Sequence, residues 1–182
     1  MNCIGRCDHL RDEAGAKRLG FEHGLPSSGF GNVVIPPVFE VEKLEAYCQI
    51  ENEYKLCLQS CGYKVHSTNQ AVCQDKYEEY VQHLDCYKRV STELQSTCEG
   101  HRCPALHPKS GRMSLDDLAE DCSNYQCDLQ CQAPILRAQC GSDQPFSLLW
   151  ELVGIWVNHG LKTLHRGGRF NFVPESCEQF LA

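Results

Sequence analysis

The chain has 182 residues, of which 14 are cysteine, and a formal net charge of −7. That length suits one domain, or one domain with tails. The basic residues form no long run, which argues against nucleic acid, or an anionic membrane surface, as the main partner, since both need a cationic face.

In chain order, residues 1–39 read as an irregular N-terminal arm. The stretch GLPSSGFGNVVIPP at 24–37 is rich in glycine, proline and serine and has the composition of a loop or linker. The opening MNCIGRCDHLRDEAGAKRL has no apolar h-region, so it is not a signal peptide. Residues 40–166 read as one cysteine-rich helical domain. Its first helix spans EVEKLEAYCQIENEYKLCLQSC, with Leu44, Tyr47, Cys48, Tyr54, Leu58 and Cys61 near helical spacing and Gly62 as the stop. A second helical stretch opens at Ser67 or Thr68 and runs to Gly100, as one helix or two. A loop follows, EGHRCPALHPKSGR at 99–112. The third helix starts at SLDD, a Ser-x-x-Asp capping box at 114–117, and Pro134 bends or ends it. The fourth runs from about Pro145 to Leu164 and should bury Phe146, Leu149, Trp150, Val153, Val157, Leu161 and Leu164. Residues 167–182 read as a tail. No strand-like alternation persists, so the expected fold is an all-α, disulfide-stapled bundle of about four helices. The longest apolar stretch, PFSLLWELVGIWV at 145–157, is too short to span a bilayer, and no transmembrane segment is expected.

The cysteines dominate the middle of the chain, with 11 in the 93 residues from Cys48 to Cys140. Such density fits an oxidising compartment, so a secreted, extracellular protein is expected, one whose leader is absent from this chain. All fourteen are disulfide candidates: Cys3, Cys7, Cys48, Cys57, Cys61, Cys73, Cys86, Cys98, Cys103, Cys122, Cys127, Cys131, Cys140 and Cys177. Cysteines at i and i+4 share a helix face and pair poorly with each other, so Cys57 and Cys61 should each reach another element, as should Cys127 and Cys131. The steps Cys48-x8-Cys57-x3-Cys61 and Cys127-x3-Cys131-x8-Cys140 mirror each other. Antiparallel helices would then align Cys48–Cys140, Cys57–Cys131 and Cys61–Cys127. Cys3 and Cys7 should tie the arm down, with Cys177 as a candidate partner.

Metal is the competing chemistry. No C-x2-C occurs, the commonest zinc and redox spacing. The best local cluster, Cys98, His101, Cys103 and His107, reads as two bridged cysteines beside two solvated histidines, so no metal and no cofactor is expected. For catalysis, VQHLDCY at 81–87 places His83 three residues before Cys86, as in the catalytic helix of secreted phospholipases A2. Leu84, however, stands where that helix has its Asp. No G-x-S-x-G or phosphate loop occurs. Asp116, Asp117, Glu120 and Asp121 read as a solvated helix start. No enzyme is expected. No N-x-[ST] sequon occurs. Ser28, in Ser28-Gly29-Phe30-Gly31, is a candidate glycosaminoglycan attachment site, and Ser110-Gly111 a poorer one.

YCQIENEYKLCLQSC, CQDKYEEYVQHLDCYKRV and CSNYQCDLQC together resemble the chondroitin proteoglycan 4 domain of nematode secreted proteins, over about half of the chain. The resemblance implies an extracellular, non-enzymatic protein of matrix or eggshell, some of whose relatives carry chondroitin, with an extracellular protein or glycan as partner. A second likeness is to insect odorant-binding proteins, which also use C-x3-C and C-x8-C. It implies a carrier of a small hydrophobic ligand, with Phe146, Leu149, Trp150, Val153 and Trp156 as a pocket wall. The gap from Cys61 to Cys122 is too long for that pattern. A third class is an interaction module like the disulfide-rich helical domains of neurotrophic-factor co-receptors.

Overall fold

A computed structural model describes residues 2–26, 35–63, 69–98, 103, 114–166 and 172–181. The fold is all-α and disulfide-stapled. The helices are α1 (Cys3–Leu19), α2 (Val41–Ser60), a π-helical turn (Ala71–Asp75), α3 (Tyr77–Cys98), α4 (Leu115–Cys140), α5 (Gln144–Arg166) and the short α6 (Glu175–Glu178). They form two compact units, and the chain passes from one to the other within α3, between Asp85 and Cys86.

The first correction concerns the arm. Residues 3–19 of the expected irregular segment 1–39 are a 17-residue helix. Its sequence conceals it because only Cys7, Gly15 and Leu19 are buried, which makes no apolar stripe. Local chemistry starts and stops it. The Asn2 side chain accepts a hydrogen bond from the Gly5 N–H at 2.8 Å. Gly20 ends the helix at φ +79°, a left-handed conformation that suits glycine, and its N–H bonds to the Ala16 carbonyl.

In the first unit α1 lies against α2. The buried side chains of α2, Leu44, Tyr47, Ile50 and Leu58, recur at helical spacing, and Gly62 follows its end at φ +88°. Cys3 bonds to Cys61, Cys7 to Cys57, and Cys48 to Cys73 on the π-helical turn. Leu25, Ile35, Val38, Val72, Tyr80 and Leu84 add to this core.

The second unit is built on α4. Ser114 and Asp117 form the expected capping box, in which each side chain bonds to the other residue's N–H. Pro134 does not end α4, which runs on to Cys140. Proline removes one backbone bond there. Three bridges along the helix, Cys103–Cys127, Cys98–Cys131 and Cys86–Cys140, hold it on both sides of that point. The buried face of α5 contains Leu149, Val153, Val157 and Leu161, as its periodicity predicts, and Leu148 and Leu152 join them, whereas Phe146, Trp150 and Leu164, expected there too, are only half-buried. The C-terminal residues, expected as a tail, hold α6. Cys177 bonds to Cys122, and Ser176 Oγ donates to the Ala119 carbonyl at 2.8 Å. A Cβ on Gly154 would lie 2.6 Å from the Phe180 carbonyl oxygen, so this approach to α5 requires glycine.

All fourteen cysteines are bonded, and the seven Cα–Cα distances of 5.2–5.9 Å suit disulfides. The expected pairs Cys48–Cys140, Cys57–Cys131 and Cys61–Cys127 do not form. The reversed spacing that suggested them is a coincidence of two helices in different units. Cys57-x3-Cys61 is matched instead by Cys3-x3-Cys7, on the helix that the sequence concealed. Cys177 pairs with Cys122 rather than with the arm.

Candidate functional site: stacked disulfides and the groove beside them

Two bridges stand one helical turn apart where the start of α1 meets the end of α2. Cys3 and Cys7 share one face of α1, and Cys57 and Cys61 share one face of the partner helix. Cys7 is buried, at 1% exposure. Cys3 is exposed, and Cys57 and Cys61 are half-buried. The bridges touch: Cys7 Sγ lies 3.7 Å from Cys61 Sγ. A guanidinium nitrogen of Arg6 lies 3.9 Å from Cys3 Sγ.

One turn further along α1, Arg11 reaches into the interface. Its Nε donates to Glu51 Oε1 at 2.7 Å, and its Nη2 lies 2.6 Å from the same oxygen. Asn69 Nδ2 donates to the other Glu51 oxygen at 3.3 Å. Burial works against the charge on Arg11, but Glu51 outweighs it and the pKa of Arg11 is raised. The guanidinium also sits 5.3 Å from the centre of the Tyr54 ring. Burial, and then the hydrogen bond that Tyr54 donates to Asp8 at 2.7 Å, push its phenol up to about 12.

Beside this network runs a groove of about 350 Å³. Leu10, Ala14 and Ile50 are its apolar lining, and Arg11, Lys17, Arg18, Glu13 and Glu53 line it with charge. Lys17 pairs with Glu13 at 2.6 Å, which lowers the Glu13 pKa, and Arg18 with Glu53 at 2.8 Å. The groove is thus amphipathic, with its charges largely paired among themselves.

The other candidate residues fall as follows. Ser28, His101, His107 and Ser110 lie outside the described residues. Cys98 and Cys103 are both in bridges to α4. Among the described residues no group of three or more His, Cys, Asp or Glu is placed to hold a metal ion. His83 is half-buried on α3, and burial lowers its pKa. Asp116 and Glu120 are exposed and Asp117 is half-buried, but Asp121, expected in solvent, is buried on the inner face of α4. Of the aromatic residues on α5, Trp150 packs on Phe180 at 4.9 Å, Trp156 meets Tyr125 edge-on at 5.1 Å, and Phe146 lies 4.8 Å under Arg137. Sequence reasoning missed Arg11, Glu51 and Tyr54. The one signal for them was the shared i, i+4 spacing of Cys3/Cys7 and Cys57/Cys61.

Comparison with family models, curated proteins and solved structures returns no match for this chain. Fold and site define its class, an all-α protein stapled by seven disulfides. No described helix is long and apolar enough to cross a membrane.

Proposed function

We propose that this chain is an extracellular, non-enzymatic structural or binding protein, of the matrix or proteoglycan-core kind that its resemblance to the chondroitin proteoglycan 4 domain implies. The observation that supports this reading is that all fourteen cysteines are consumed in seven bridges, each internal to one helical unit. Seven bridges form and persist where the environment is oxidising. Large helical surfaces fixed covalently suit a protein that presents a constant face to an extracellular protein or glycan.

The test is production in eukaryotic cells behind a secretion leader, followed by intact mass before and after chondroitinase. A polydisperse product that collapses on digestion, and loses its polydispersity in Ser28→Ala, supports a proteoglycan core. A single sharp mass with no glycan removes the proteoglycan part of the reading and leaves the matrix-binding part, which pull-downs on extracellular matrix then test. The carrier alternative has less support, because Trp150 and Trp156 pack on Phe180 and Tyr125. A tryptophan emission shift on adding retinol or a fatty acid would favour it.

A further inference from the structure

The contact between the two bridges of the first unit has a chemical consequence. A disulfide is exchanged when a thiolate reaches one of its sulfurs and displaces the other. Cys61 Sγ already touches Cys7 Sγ at 3.7 Å, although each is bonded elsewhere. Cys57 and Cys61 are one turn apart on the same helix face, so Cys7 is within reach of both.

The two bridges also differ in access. Cys3 is exposed and Cys7 is 1% exposed. Cys3 is the first residue of α1, where the helix dipole favours negative charge, and Arg6 lies beside its sulfur. Both features favour a thiolate at Cys3, and hence its departure from Cys61. The outer bridge is therefore the one that an external thiol opens first.

We propose that Cys3–Cys61 and Cys7–Cys57 form an exchange-competent clamp, in which opening the outer bridge lets Cys61 displace Cys57 from Cys7, so that α1 stays tethered to α2 through either Cys7–Cys57 or Cys7–Cys61. The chemistry balances. A dithiol reductant opens Cys3–Cys61 in two exchange steps and closes to its own cyclic disulfide, leaving thiols at Cys3 and Cys61. The Cys61 thiolate then attacks Cys7 Sγ. The Cys7–Cys57 bond breaks, the Cys7–Cys61 bond forms, and Cys57 leaves as a thiolate that takes up the proton Cys61 gave up. This second step consumes no oxidant or reductant. The clamp thus answers an extracellular dithiol by moving a free thiol between Cys61 and Cys57, while Cys7 remains bonded throughout.

The test needs no reductant. Cys3→Ser leaves Cys61 without its partner beside an intact Cys7–Cys57 bridge. Rapid alkylation with a maleimide, acid quench and peptide mapping should find label at both Cys61 and Cys57, with Cys7–Cys61 and Cys7–Cys57 peptides both present. Label at Cys61 alone overturns the proposal. The wild-type protein treated with limiting dithiothreitol gives a second reading, which stands if the variant does not fold. Its singly opened species should carry label on Cys3 and on either Cys61 or Cys57. Label on Cys7, or none on Cys57, overturns the proposal equally.

Discussion

Removing the two stacked bridges, singly and together, should give costs that do not add. Cys7–Cys57 closes a separation of 50 residues and Cys3–Cys61 one of 58. In the chain-entropy account the first of them to form contributes about 4 kcal/mol. Once either exists, the other closes only a small ring of the two helical turns between the bridges, and it contributes about 2.5 kcal/mol. Cys3→Ser/Cys61→Ser should therefore destabilise by about 2.5 kcal/mol, and Cys7→Ala/Cys57→Ala by about the same plus some lost packing at buried Cys7. The protein lacking both should lose about 6.5 kcal/mol, an excess of about 1.5 kcal/mol over the two single losses. Guanidinium unfolding without added thiol, followed by helix ellipticity, measures this, because Trp150 and Trp156 both lie in the other unit. If the fourfold variant loses no more than the two double variants combined, the bridges are not nested and the placement of α1 is wrong.

Three further outcomes follow from named contacts. Glu51→Gln keeps the shape of the side chain but leaves the partly buried Arg11 guanidinium without its charge partner, and should cost about 3 kcal/mol in equilibrium unfolding, the low end for a broken buried pair because Arg11 keeps some solvent contact; no loss would place Arg11 in solvent. Gly154→Ala should destabilise despite the better helix propensity of alanine, worth about 1 kcal/mol, because overpacking against the Phe180 carbonyl costs about 1–3 kcal/mol. A raised melting temperature would mean that the segment after Pro174 does not seat on α5. Stability should also fall as pH rises above 10. The pKa of Tyr54 rises from 10 to about 12, and burial pushes Tyr47, Tyr80 and Tyr125 up as well. The unfolded chain then loses phenolic protons that the folded chain retains, so the contribution is whole below pH 10 and is lost between about 10 and 12. Unfolding curves across that range, paired with phenolate absorbance, check the sign; an unchanged midpoint would show these hydroxyls to be solvated.

Much of this architecture was legible because it is written in side-chain periodicity. The stripe from Phe146 to Leu164 marks α5, Ser114 and Asp117 mark the start of α4, and Gly62 marks the end of α2. The candidate site was not legible, because it depends on a helix without such a stripe. α1 buries little more than Cys7, Gly15 and Leu19 and is held by bonds to Cys57 and Cys61. Periodicity cannot register a covalent anchor, and cysteine spacing alone leaves about 135,000 full pairings open. The mirrored steps around Cys57 and Cys131 then pointed to the wrong partners. As a helix end, Pro134 misled for a different reason. Its local penalty is real, but bridges on both sides override it.

The most direct test is a non-reducing peptide map of the folded protein, with free thiols blocked before digestion. It should find no free thiol and seven linked pairs, with Cys3–Cys61 and Cys7–Cys57 joining α1 to α2 and Cys122–Cys177 joining α4 to α6. Cys57 or Cys61 linked to Cys127 or Cys131, or free thiols at these positions, would contradict the account.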